Sequence, residues 1–222
     1  MIFCDKRLFD QYMKKDTILR LMDEWSEAGD EEAPSQKWLR ALPPKRMTFY
    51  FMYGDLLFPK KRVKVLDVGG NWSAFTRKLG EMHDYTILEI MDIPSIPFVK
   101  VVKHDWYEDF GTEEYDVIMA NDIFPTNDQR LQLFIDRFLP RCREMRLSIT
   151  WFTEPKFYKT MRVDGDEVMY LQAWDGSRVY VCLMEWVDRI IDADLDGLFK
   201  SRKSIFANGR QVCIAFLKGG LA

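Results

Sequence analysis

Asp67, Gly69 and Gly70 stand together in the run Val65-Leu66-Asp67-Val68-Gly69-Gly70-Asn71-Trp72-Ser73, and Glu89 follows twenty residues after Gly69. Glycines let a chain turn sharply and bring backbone N–H groups close to a ligand, with no Cβ in the way. A carboxylate at the tip of the next strand accepts hydrogen bonds from both hydroxyls of a ribose. Together these features point to a ligand containing adenosine. A dinucleotide site needs G-x-G-x-x-G, whose second glycine admits the pyrophosphate. Counted from Gly69, that position is Asn71 and the third is Ala74. The Asn71 side chain crowds a pyrophosphate and crowds a ligand without phosphates less, which disfavours an NAD-dependent enzyme.

Strands and helices must hold these residues. Val63–Val68 is a β-branched run that meets the glycines, and Phe75, Leu79 and Met82 mark one face of the helix after it. Further strands are predicted at 85–90, 98–102, 115–120 and 145–152, and an amphipathic helix between Asn127 and Pro140. Strands alternating with helices imply parallel pairing, right-handed crossovers and a ligand crevice at the carboxyl ends of the strands. Glu167–Ala173 reads as a strand, and Ser177 as the cap of a helix running toward Ile190, although 179–183 also fits a strand. Ser204–Ala207, Asn208-Gly209 and Gln211–Leu217 read as a hairpin with a type I′ turn, which places an antiparallel strand at the end of the sheet. Residues 1–62 read as helical, with Ser35 capping a short helix that Pro43-Pro44 stops. The expected fold is α/β: a doubly wound, mostly parallel seven-stranded sheet with a C-terminal antiparallel hairpin. Residues 1–62 form a helical cap and 63–222 the sheet domain, with an insertion at about 153–176.

The 222 residues carry 32 Lys and Arg against 35 Asp and Glu, a formal charge of −3, with 47% hydrophobic and 30% charged residues. That composition is globular, and no basic aromatic stripe points to nucleic acid. Charges in MIFCDKRLFD argue against a secretory leader, and no apolar run approaches the roughly 18 residues of a membrane span. Cys4, Cys142, Cys182 and Cys213 are scattered and there are two histidines, so reduced thiols in the cytoplasm are expected and no metal site.

The chain resembles class I S-adenosylmethionine-dependent methyltransferases over about Val63–Leu217. The resemblance implies S-adenosylmethionine as cofactor. Asp67, Gly69 and Gly70, with Asn71, would form the methionine-side turn, and Glu89 would hold the ribose. His104-Asp105-Trp106 resembles the segment at adenine, where Asp105 would accept from the amino group and Trp106 would pack on the ring. Asn121-Asp122 resembles the segment beneath the reacting methyl. Asp122-Ile123-Phe124-Pro125 and Arg162–Glu167 are also similar to methyltransferase-like proteins of bacterial surface-glycan clusters. The implied reaction is methyl transfer to a small-molecule or sugar hydroxyl. Asp122 is the first candidate base by position, and His104 the second, since imidazole suits base chemistry near neutral pH. The turn departs from the glycine-rich pattern at Asn71 and Trp72, so a non-catalytic binding or scaffold protein of the same fold is the alternative. The aromatic run 49–53 reads as core more readily than as a substrate platform; if the segment is instead a lid, Arg46 and Tyr53 would close over the cofactor. Lys156, Tyr158, Lys159 and Arg162 read first as a solvated loop, with binding of an anionic or sugar-phosphate substrate as the alternative, and Trp151 and Trp174 either stack on a sugar ring or simply pack.

Overall fold

Alternate residues of the central strands face opposite ways, and each set has its own core. Val65, Val117, Met119 and Ile214 pack with helices from the first 82 residues, whereas Leu66, Val68, Ile118 and Ala120 pack with two later helices. This period-two partition is what a sheet covered on both faces requires. The computed structural model describes residues 1–108, 111–161 and 168–221. Its elements are β1 (Ile2–Phe3), α1 (Lys6–Met13), α2 (Thr17–Trp25), α3 (Pro34–Ala41), α4 (Pro43–Leu57), β2 (Lys64–Val68), α5 (Ala74–Met82), β3 (Asp84–Glu89) and β4 (Val99–Lys103). There follow β5 (Tyr115–Ala120), α6 (Leu131–Phe138), β6 (Cys142–Trp151), β7 (Lys156–Met161), β8 (Val168–Ala173), α7 (Gly176–Met184) and β9 (Gln211–Lys218).

The seven-stranded sheet has the order β1-β9-β6-β5-β2-β3-β4. The five central strands β2 to β6 pair in parallel, β9 runs antiparallel to β6, and β1 runs antiparallel to β9. The doubly wound, mostly parallel architecture is therefore as expected, and an antiparallel hairpin in the C-terminal half is present as β7–β8. The order reverses between β2 and β5. A crevice opens there, at the carboxyl ends of both strands.

Four local expectations are corrected. Residues 204–207 do not form a strand: Ser204 makes a lone bridge to Asp5, and Ile2–Phe3 takes the sheet edge beside β9. Gly209 has φ +82°, but Asn208 is not in the left-handed region, so the turn is not type I′. Ser35 caps nothing. Helix α3 starts with Pro34 in its first turn, where the missing N–H costs nothing, and Pro43-Pro44 likewise opens α4 as well as closing α3. Asp175, rather than Ser177, caps α7, its side chain accepting from the Arg178 N–H.

Candidate functional site

The turn after β2 is fixed from three sides. The Gly69 N–H donates to the Leu88 carbonyl at 2.8 Å, which ties the turn to the end of β3. Gly69 has φ +67°, where an L side chain is strained, and a Cβ there would collide with Ile123 Cδ1. A Cβ on Gly70 would lie 2.6 Å from Asp67 Oδ2. Ser73 then caps α5 reciprocally with Thr76.

Beneath the turn, Asp67 is buried and accepts from Tyr85 Oη at 2.6 Å and from Tyr53 Oη at 3.0 and 3.2 Å. Burial pushes its carboxyl up from 3.8 to about 7, against the two tyrosine hydrogen bonds that pull it down, and the charge of Glu89 adds to the rise. Burial also pushes Tyr53 and Tyr85 well above 10. Tyr53 belongs to α4, so this helix meets the turn directly. Arg46, on the same helix, instead binds Asp16 at 2.8 Å and the Leu39 carbonyl at 2.7 Å, tying the N-terminal helices together away from the cavity.

A cavity of about 800 Å³ opens at the strand tips. Gly69, Asn71, Glu89, His104, Asp105, Trp106, Asn121 and Asp122 all line it. Asp67 and Gly70 face a second space of about 70 Å³, which shares Gly69, Asn71, Asn121 and Asp122 with the first. The structure thus gathers into one region the ten residues expected to bind the cofactor or act as base. Trp72 lines neither space. Its indole packs with the core on the α1–α5 face.

Glu89 Oε1 accepts from the N–H groups of Ile90 and Met91 at 2.8 and 3.2 Å. His104 follows β4; its N–H donates to the Glu89 carbonyl and its Nδ1 lies 2.7 Å from Glu108 Oε2. Asp105 accepts from the Tyr107 N–H at 2.9 Å and meets Arg130 Nη2 at 3.4 Å. Trp106 is buried among Phe124, Phe134 and Phe138, donates through Nε1 to Asp128 at 2.9 Å, and carries the Arg130 guanidinium 4.6 Å above its ring. Arg130 also binds Asp128 at 2.6 Å, which holds that carboxyl below its ordinary value against the effect of burial.

The opposite end is built differently. Asp122 sits at φ +59° after β5, with its N–H donating to Ser148 Oγ at 2.6 Å. Its Oδ2 pairs with Lys45 Nζ of α4, and its Oδ1 lies 3.3 Å from Arg210 Nη1. Tyr158 and Leu171 reach this end from the β7–β8 hairpin, and Trp38 and Leu42 from the helical side. Lys156 and Lys159 are exposed, Lys156 over the Phe152 ring, and Arg162 lies outside the described residues. Trp151 and Trp174 are buried, so neither is a sugar platform.

Sequence reasoning missed Lys45, Tyr85, Ile123, Asp128, Arg130 and Arg210. The Asp128-Gln129-Arg130 run before a helix is a weak local signal. Nothing local marks Lys45 and Arg210 as neighbours of one carboxylate.

No protein-family model matches the chain, and no curated protein matches it. Several solved structures are similar in outline. The 1,6-didemethyltoxoflavin-N1-methyltransferase of Burkholderia thailandensis, solved with 1,6-didemethyltoxoflavin and S-adenosylhomocysteine, is 12% identical over 96% of this chain and 87% of that one, with a TM-score of 0.48. An S-adenosylmethionine-dependent methyltransferase from Clostridium acetobutylicum is 9% identical over 78% and 92%, with a TM-score of 0.48. The N-methyltransferase NodS of Bradyrhizobium japonicum, in complex with S-adenosylhomocysteine, is 13% identical over 79% and 88%, with a TM-score of 0.45. Likenesses this distant carry no argument about this chain, whose chemistry is read from its own residues.

Proposed function

We propose that this protein transfers a methyl group from S-adenosylmethionine to the hydroxyl of a small molecule or sugar. One observation carries the reading. The Gly69 turn and the Glu89 tip open into the same cavity at the point where the strand order reverses. At about 800 Å³ the cavity is within the range that holds a nucleoside and a small acceptor together.

In this reading the Gly69–Asn71 turn lies along the methionine side, Glu89 accepts from the ribose hydroxyls, and Asp105 accepts from adenine beside Trp106. Asn121 stands between the two ends. When bound, the cofactor supplies a methyl on a sulfonium: the S–CH3 bond breaks as the O–CH3 bond forms, sulfur keeps the electron pair, and the hydroxyl proton leaves to a base. The protein's contribution is positioning. Asp122 is the candidate base by position, and here it also anchors Lys45 and Arg210. His104, beside Glu108, is the other candidate. Residues 1–62 act as a cap that contributes Trp38, Lys45 and Tyr53 to the site, and 63–222 form the methyltransferase domain with its insertion at about 153–176. The rings of Trp38 and Tyr158 support a flat or sugar-like acceptor, and the resemblance around Asp122–Pro125 supports a role in glycan biosynthesis. The four cysteines, free and buried, suit the cytoplasm. Among the described residues no helix is long and apolar enough to cross a membrane.

A second reading keeps the fold without turnover. It is favoured by Ile123, whose side chain lies against Gly69 where a ligand would approach the turn. Titration calorimetry with S-adenosylhomocysteine separates the two. Saturable heat with a Kd on the order of micromolar is expected for the enzyme. Absence of heat at millimolar ligand would leave only the scaffold.

A further inference from the structure

We propose that the methyl acceptor is anionic, and that Lys45 and Arg210 grip its carboxylate or phosphate. This rests on the methyl-transfer reading and adds the acceptor's chemical class. The anionic group is a handle; the nucleophile remains a hydroxyl of the same molecule.

Lys45 comes from the first turn of α4, Arg210 from the residue before β9, and Asp122 from the loop after β5. Their side chains retain 15%, 12% and 25% exposure, so all three charges are largely withdrawn from water at the cavity wall. Two cations share one carboxylate, which leaves one positive charge without a partner among them. Burial, then the charge of Arg210, pushes the Lys45 ammonium well below 10.5. Burial likewise pushes Arg210 below 12.5. Both shifts reflect the cost of holding a positive charge out of water. Arg210 Nε is buried and has no hydrogen-bond partner among the described residues. An unpaired buried donor of this kind is costly, and an incoming anion relieves it.

The neighbours favour a small ligand here. The Phe206 ring lies 4.4 Å below the Arg210 guanidinium and 5.9 Å from Lys45 Nζ, which holds the two cations on one support. Tyr158 comes from the β7–β8 hairpin, and Thr126 lies 2.5 Å from Thr150 through their hydroxyl oxygens. Tyr158 and Thr126 both line the cavity and offer hydroxyl groups beside the cations. The N-terminal end of α4, at Pro43–Lys45, adds the positive end of a 15-residue helix dipole. At the other end of the cavity stand Glu89, Asp105 and Asp128.

The test is titration calorimetry of the full chain with inorganic phosphate and, separately, with acetate, against chloride at matched ionic strength. At least one anion is expected to saturate with a Kd on the order of millimolar, and the stronger of the two identifies the handle. Arg210→Gln is expected to weaken that anion by roughly tenfold or more, and Arg210→Lys to recover part of the loss. Each variant's thermal unfolding is followed alongside, and Lys45→Gln replaces Arg210→Gln if the latter does not fold. The proposal is overturned if neither anion saturates by about ten times that range, or if neither substitution changes the affinity. Wild-type titration with S-adenosylhomocysteine keeps the two readings apart. Anion binding without cofactor binding defeats methyl transfer and leaves the anion site standing. Cofactor binding without anion binding does the reverse.

Discussion

At one end of the cavity Glu89 and Asp105 come from the tips of the adjacent parallel strands β3 and β4; at the other, Lys45, Tyr158 and Arg210 come from a helix start, a hairpin and a turn. The first end is acidic and held mostly by backbone groups: the Glu89 carboxylate folds onto the next two N–H groups, and Asp105 onto that of Tyr107. The second end is cationic and held by side chains that pair with one another across the fold. A strand-tip site is inherited from the sheet and tolerates change in what surrounds it. A site gathered from separate segments depends on all of them, and it is where one member of a fold class can differ from another in substrate.

The largest effect is expected where the two ends meet, at Gly69. Alanine there faces a left-handed φ, worth about 1–2 kcal/mol, and a collision with Ile123, worth about 1–3 kcal/mol more. Gly69→Ala should therefore lose about 3 kcal/mol of stability in urea unfolding, and the double variant with Ile123→Ala should recover the collision part only. Full recovery would show that the backbone angle is not strained.

Asp67 tests the buried floor under the same turn. Its carboxyl is raised in the folded chain, so the folded state binds more protons than the unfolded state between about pH 4 and pH 7. Stability from this group is therefore lost as pH rises through that window. Asp67→Asn should be more favourable at pH 8 than at pH 5, relative to wild type, by about 2–3 kcal/mol. Equal effects at both values would mean that Tyr53 and Tyr85 hold the carboxylate ionised.

Glu89→Ala probes the acidic end alone. Loss of a charged acceptor should weaken S-adenosylhomocysteine by about 2 kcal/mol, roughly thirtyfold in Kd. Unchanged affinity would remove the ribose role and with it the contrast between the two ends.

That contrast also explains what the sequence revealed. The strands β2 to β5 announce themselves through apolar runs that lead into Gly69, Glu89, His104 and Asn121, so the strand-tip end could be read from contiguous motifs. Tyr115–Ala120 lies at the expected bounds, and the other central strands within three residues of theirs. The cationic end could not be read, because Lys45, Asp122 and Arg210 meet only after the sheet and cap have closed. The edge strand was hidden for a related reason. Ile2–Phe3 is two residues long and has no period of its own, and β9 alone selects it, through the pairs Ile2–Ile214 and Phe3–Cys213. The Asn208-Gly209 signal was real as a turn but misleading as a hairpin, since the chain before it bridges Asp5 instead of folding back on β9.

Trp72 should give the smallest effect, and it is the residue that most directly tests whether the turn is open. From the sequence its indole stands where it could cover a cofactor or fill its place. In the fold its backbone N–H is turned toward Asn71 Oδ1 at 2.7 Å, and its ring packs with the α1–α5 core. Neither space at the strand tips has any part of it in the wall. Trp72→Phe keeps an aromatic ring in that half-buried position, so S-adenosylhomocysteine affinity should stay within about 0.5 kcal/mol of wild type, with only a modest loss of stability. A gain in affinity would mean that the indole had been occupying the ligand's space. A loss beyond about tenfold would mean that it closes over the bound nucleoside, and the turn would then belong with the side-chain-built end of the cavity, not with the strand tips.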